Sequence, residues 1–134
     1  MEKILPMLRS NEKGGKTMIK AKPLKAGNKV AIIAPSSATD LKAVKQGEMK
    51  IKALGLDPIM FPTCYTNYGH LSASDEERAK DVNDAFKDET IKGIICLRGG
   101  YGASRILNLL DYEMIAENPK VFLGFSDITA LHTA

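Results

Sequence analysis

The feature that most constrains this chain is the run Val30-Ala31-Ile32-Ile33-Ala34, five apolar residues in a row stopped by Pro35. A strand with one wet face alternates apolar and polar side chains. An unbroken, β-branched run is instead a strand buried on both faces, the mark of a parallel sheet covered by helices on either side. Proline closes the run because it has no N–H to give to a ladder.

The same unit then recurs with short connections. Leu41, Val44, Met49 and Ile51 predict a helix over about 40–54, ended by Gly55 in a left-handed cap. A second strand follows over 58–61, and the polar stretch 62–73 reads as a surface loop. Ser74 followed by Glu77 forms a capping box, with Asp75 and Glu76 complementing the positive end of a helix that runs to about Phe86. A third strand over 91–97 leads through Arg98-Gly99-Gly100-Tyr101-Gly102 into a helix beginning near Ala103. A short helix over 111–117 stops at Asn118-Pro119, and a fourth strand covers 121–125. Right-handed crossovers then make a doubly wound, flavodoxin-like α/β sheet of about four parallel strands in the order 2-1-3-4. In that order three loops converge at one edge: 35–37, 98–102 and the segment after Phe125. Any site belongs there.

Composition narrows the function. The 134 residues fit one domain with one core, and 44% hydrophobic with 26% charged side chains excludes wholesale disorder. The net charge of +3 resides in a tail: residues 1–29 hold eight Lys or Arg against two acids, whereas 30–134 hold eleven against fourteen. A nucleic-acid binder carries its charge on a folded face interleaved with aromatics, so no nucleic-acid partner is expected. No apolar run approaches the ~18 residues of a membrane span, so no membrane partner is expected and a soluble chain is. Cys64 and Cys96 read as reduced thiols of a cytoplasmic protein, Cys96 in the core, and with His70 and His132 they lack the spacing of a zinc site. No metal and no cofactor is expected. Residues 1–22 read as a flexible basic extension in which Met18 offers an alternative start, and residues 23–134 as the domain proper.

The chemistry is concentrated at the convergent loops. Gly124-Phe125-Ser126-Asp127-Ile128-Thr129 sets a serine at a strand-to-helix transition, as in a nucleophile elbow, where a sharp turn lifts the hydroxyl out of the sheet. Ile128 replaces the second glycine of that motif, so on this segment alone a simple helix cap at Ser126 is the competing reading. The glycine turn adds weight to the first. Gly99, Gly100 and Gly102 let backbone amides approach an anion, as in phosphate binding or an oxyanion hole, but GGYG does not match a dinucleotide fingerprint. The Gly100 and Asp127 amides together suit a developing oxyanion. Arg98 either binds a substrate carboxylate or pairs with Asp127 or Asp111, and Tyr101 either packs over the cleft or lids the core. Ser36 and Ser37 read as caps of the first helix. His70 reads as an ordinary residue of the loop after the second strand, with lining the cleft as the alternative, whereas His132 falls on another face of the helix that follows Ser126.

The runs KVAIIAPSS, DEERAKDVNDAF, GIICLRGGYGASRILNLLDY and NPKVFLGFSDITALH resemble, in order and spacing, the amino-terminal domain of the LD-carboxypeptidase family of serine peptidases. The family includes muramoyltetrapeptide carboxypeptidases and microcin self-immunity peptidases. The resemblance implies that Ser126 is the nucleophile and that the Gly100 and Asp127 amides form the oxyanion hole; the position of Arg98, Gly99 and Tyr101 in the adjoining turn makes them the expected substrate-binding residues. The resemblance also implies a substrate that is a small murein-type peptide with a terminal D-amino acid, and it leaves room for a homodimer of the full-length form. The Glu and His of the family's triad belong to a carboxy-terminal domain beyond Ala134, so this stretch by itself is expected to be inactive and marginally stable. The alternatives are a noncatalytic remnant that binds a small anionic peptide and a flavodoxin-like nucleotide module.

Overall fold

The structure, a computed structural model, describes residues 7–10 and 16–134. Two short strands, β1 (Met7–Ser10) and β2 (Lys16–Ile19), pair antiparallel as a separate ribbon within the stretch read from sequence as an extension. The main sheet contains β3 (Lys29–Ile33), β4 (Asp57–Met60), β5 (Ile91–Cys96) and β6 (Val121–Leu123). All four are parallel in the order β4-β3-β5-β6, which is the order expected from the crossovers.

Val30 to Ala34 are at most 1% exposed, as the unbroken apolar run requires. Alternate residues of β3 serve opposite layers. Val30 and Ile32 pack with Val44 of α1 (Leu41–Ala53) and with Cys64. Ala31 and Ile33 join the larger cluster on the other face, with Val82 and Phe86 of α2 (Asp75–Lys87), Ile94 and Phe122. That face also carries Ile115 of α3 (Tyr112–Glu117) and Leu131 of α4 (Thr129–His132). Phe86 and Phe122 stack with ring centroids 5.7 Å apart.

The ends of several elements differ from the sequence reading. The segment expected to begin a helix near Ala103 is a 3-10 helix over Ala103–Leu109, with Ala103 and Ile106 buried three residues apart, the spacing that a three-residue turn brings onto one side. The strand expected over 121–125 ends at Leu123, because Gly124 and Phe125 leave the ladder for a turn. The stretch 62–73 is not a surface loop throughout. It contains a 3-10 turn at Pro62–Cys64, and Thr63, Cys64, Leu71, Ser72 and Ala73 are buried. Ser72 explains the burial: its amide donates to the Ser36 carbonyl and its hydroxyl to the Ala34 carbonyl. The capping box of Ser74 and Glu77 is present in both directions. The first helix is capped by Asp40, which accepts from the Ala43 amide at 2.9 Å, and not by Ser36 or Ser37. Among the described residues no helix is long and apolar enough to cross a membrane.

Candidate active site

Three loops meet at the carboxyl ends of β3, β5 and β6. Beyond β6 the backbone turns sharply, and Ser126 takes φ +57°, the only non-glycine residue with positive φ among the described residues. A side chain held there costs about 1–3 kcal/mol and persists only where surrounding structure imposes it. The imposing contacts are visible: Ser126 opens a 3-10 turn, Ser126–Ile128, in which the Ile128 amide donates to the Phe125 carbonyl at 3.2 Å and the Ile128 side chain is fully buried. Ser126 makes no capping bond and is exposed, so the cap reading of this residue does not hold.

The glycine turn lies against this elbow. A Cβ built on buried Gly99 would stand 3.2 Å from the Ser126 Cβ and 3.3 Å from the Asp127 amide nitrogen. The absent side chain therefore keeps open the space in front of that amide. Gly100 has φ +115°, and a Cβ there would overlap the Ser37 hydroxyl. Ser37 is instead an acceptor for the Tyr101 amide at 3.0 Å, which ties the first loop to the turn. Among the described residues neither the Gly100 nor the Asp127 amide has an acceptor.

Side chains beneath the crevice hold the loops together. The Asp127 carboxylate accepts from the Ser36 hydroxyl and, at 2.9 Å, from the Ala103 amide, so one oxygen joins all three loops. Arg78 of α2 is fully buried; its guanidinium donates to the carbonyls of Ala73 (3.1 Å), Pro35 (2.9 Å) and Gly102 (2.7 Å) and pairs with Asp75. Burial pulls this guanidinium below the usual arginine range and the Asp75 carboxylate opposes the shift. Asp75 is itself held below the usual carboxylate range by its hydrogen bond from Arg105. Further back, Asp81 accepts from the Thr63 amide at 2.9 Å, and the Thr63 hydroxyl accepts from the Ala34 amide at 3.0 Å. Burial raises the Asp81 carboxyl despite the Thr63 bonds.

The other candidates divide. Arg98 donates to the Ala38 carbonyl at 3.1 Å and, among the described residues, pairs with no acid, so the expected partners Asp127 and Asp111 are not its partners. Its Nη2 lies 3.6 Å from where a Gly100 Cβ would stand. Tyr101 is 57% exposed and meets His70 with ring centroids 5.5 Å apart; it is a rim residue and no lid on the core. His132 is turned into the sheet, its Nε2 3.2 Å from the Phe122 carbonyl and its ring edge-on to Phe122. The thiols are buried. Desolvation pushes Cys64 up to about 12 and raises Cys96 as well, which keeps both protonated. Among the described residues no group of three or more His, Cys, Asp or Glu stands together to hold a metal ion.

The family model described as the LD-carboxypeptidase N-terminal domain matches residues 30–134. The chain belongs to the LD-carboxypeptidase family. A probable murein peptide carboxypeptidase of Bacillus subtilis (strain 168) is 37% identical over 115 residues, covering 86% of this chain and 36% of the relative. An MccF-like protein of Bacillus anthracis str. Ames superposes with a TM-score of 0.79 at 32% identity, over 84% of this chain and 35% of that one. A muramoyltetrapeptide carboxypeptidase of Oxalobacter formigenes superposes with a TM-score of 0.68 at 31% identity, over 76% and 34%. The chain thus spans about a third of the length of the LD-carboxypeptidase relatives it matches, and its sheet is the fold of their amino-terminal domain.

Sequence reasoning brought Ser126, Gly99, Gly100, Asp127, Arg98 and Tyr101 to one edge, and the structure places all six there. It missed the buried polar supports. Arg78 carried a readable signal, because it stands in the apolar stripe of α2 with Val82 and Ala85, where a solvent-facing arginine does not belong. The Asp127 carboxylate carried none, since its partners are 24 and 91 residues away.

Proposed function

We propose that Ser126 is the nucleophile of a serine-type carboxypeptidase site acting on a murein-type peptide with a terminal D-amino acid. The observation that carries this reading is the left-handed backbone of Ser126, a strain that a mere turn residue has no reason to bear. In the proposed reaction the Ser126 Oγ attacks the scissile carbonyl carbon and its proton passes to a base. The carbonyl oxygen, now negative, is received by the Gly100 and Asp127 amides. Collapse expels the amine of the terminal residue, which takes up the proton, and water then resolves the acyl-enzyme to a free carboxylate. Arg98, at the mouth and unpaired with any acid among the described residues, is placed to receive the substrate's terminal carboxylate. Gly99 and Tyr101 complete the substrate side of the cleft.

A positioned base is worth about 10²- to 10⁴-fold in rate. Among the described residues His132 is committed to the Phe122 carbonyl and His70 to the rim, so neither histidine stands as that base. By resemblance, the Glu and His of the triad come from the family's carboxy-terminal domain. That neither described histidine serves Ser126 favours one second reading: the domain holds a small anionic peptide without cleaving it. A cytoplasmic location fits the two buried thiols.

An active-site-directed fluorophosphonate tests the main reading. With neither histidine as base, attachment to Ser126 is expected to be slow and to be lost in Ser126→Ala; attachment elsewhere, or none after prolonged exposure, overturns the nucleophile assignment. Release of D-alanine from a murein tetrapeptide by this domain joined to a carboxy-terminal domain of the family, absent for the LL-diastereomer, tests the substrate.

A further inference from the structure

The Gly102–Ala103 peptide is gripped on both sides. Its carbonyl oxygen accepts from Arg78 Nη1 at 2.7 Å, and its N–H donates to the Asp127 carboxylate at 2.9 Å. The two groups of a trans peptide point in opposite directions, so these two bonds together fix the plane of the unit. The Gly102 carbonyl also accepts from the Arg105 amide at 3.1 Å, whereas among the described residues the Ala103 N–H has the Asp127 carboxylate as its partner. Gly102 has φ +107° and no side chain to resist rotation of the peptide that follows it. Gly99 borders Ser126 and the Asp127 amide and Gly100 borders Ser37, so rotation at 102–103 moves the turn that carries the Gly100 amide.

The same two side chains also reach the loop after β3. Arg78 is fully buried and also holds Pro35, the residue that ends the β3 run. Asp127 also binds the hydroxyl of buried Ser36, two residues after Ala34. Each grip therefore joins the glycine turn to the loop after β3, one from below through a cation and one from the elbow through an anion. Charged groups hold such bonds more tightly than neutral ones, and both are at least half-buried here.

We propose that Arg78 and Asp127 are positioning residues that clamp the Gly102–Ala103 peptide and so hold the glycine turn in the one orientation that sets its amides beside Ser126. The proposal deepens the hydrolase reading of this site. The Asp127 residue then has two separate duties, its backbone amide toward the substrate and its carboxylate toward the turn.

The test uses the full ¹⁵N-labelled chain and reads amide exchange at Ala103 together with N–H residual dipolar couplings at Gly99, Gly100 and Ala103. Asp127→Ala keeps the backbone amide and removes the grip. Its expected result is about tenfold faster exchange at Ala103 and couplings that shrink across the turn while those of β3 and β5 hold. Asp127→Asn, which still offers an acceptor oxygen, is expected to restore much of both. Arg78→Lys, whose single ammonium cannot serve three carbonyls, is expected to reproduce the loosening from the other side. Unchanged exchange and couplings in Asp127→Ala would overturn the clamp, as would a loss spread equally over β3 and β5. Fluorophosphonate attachment decides the hydrolase reading separately: a wild-type chain that refuses the probe sinks that reading, while the couplings still decide the clamp.

Discussion

The two ends of the sheet are built on different principles. At the carboxyl end, charged and hydroxyl side chains are taken out of water and nearly all are tied: Arg78 to three carbonyls, Asp127 to a hydroxyl and an amide, Asp81 to Thr63. At the amino end lies a groove of about 520 Å³ bordered by Ile19, Lys20, Lys22, Lys25, Lys92 and Lys120, where all but Ile19 and Lys120 are exposed. Lysines left in water cost little and fix little. Buried, multiply bonded polar groups cost several kcal/mol unless every bond is made, and a fold keeps them where geometry matters. The contrast marks the carboxyl end as the more tightly bonded end of the sheet.

The largest effect that would test this contrast is at Arg78. Arg78→Met removes the guanidinium from the Ala73 and Pro35 carbonyls and leaves the Gly102 carbonyl and Asp75 to Arg105 alone, and a loss of about 3–5 kcal/mol is expected in urea unfolding; a loss under about 1 kcal/mol would remove the basis for the comparison. Lys120 is the exception at the amino end, buried with its ammonium donating to the Ala85 and Asp88 carbonyls and desolvated to a pKa of about 8. Its folded value lies below its unfolded value of 10.5, so the unfolded chain holds more protons between the two and stability rises with pH across that window. The gap of about 2.5 units caps the rise at about 3 kcal/mol, and Lys120→Met should abolish it in unfolding curves collected from pH 7 to 10.5. Parallel curves for the two proteins would place Lys120 among its exposed neighbours.

Gly100→Ala forces a side chain into φ +115° and onto the Ser37 hydroxyl, with about 2 kcal/mol of destabilisation and slower probe attachment expected. Ser126→Gly works in the opposite sense. Relief of the left-handed strain should stabilise the domain by about 0.5–1 kcal/mol while abolishing attachment, and a destabilised variant would show that the serine is not strained. Smallest of all, Lys25→Gln in the exposed groove should leave stability within about 0.5 kcal/mol of wild type.

Much of the fold was legible because the signals were local. VAIIA followed by proline announced a doubly buried strand, the Ser74–Glu77 pair announced the start of α2, and the crossover rule then ordered the strands correctly. Element ends were less legible. Residues 103–109 have an acceptable helical composition, but burial of Ala103 and Ile106 winds them as a 3-10 helix, and the elbow shortens β6 by two residues relative to the sequence reading. Ser36 and Ser37 illustrate the harder limit. Their nearness to a helix suggested capping, whereas their actual partners, Asp127 and the Tyr101 amide, come from loops 91 and 64 residues away.

The amino-acid sequence by itself determined the layer architecture, the strand order and which three loops share an edge, because hydrophobic period and chain connectivity are properties of short segments. Only the tertiary structure decided that Ser126 is held in a left-handed conformation, that Arg78 is buried beneath the crevice and that one carboxylate joins its loops. Those facts depend on side chains distant in sequence meeting in a low-dielectric interior, where each buried polar group must find its particular partner.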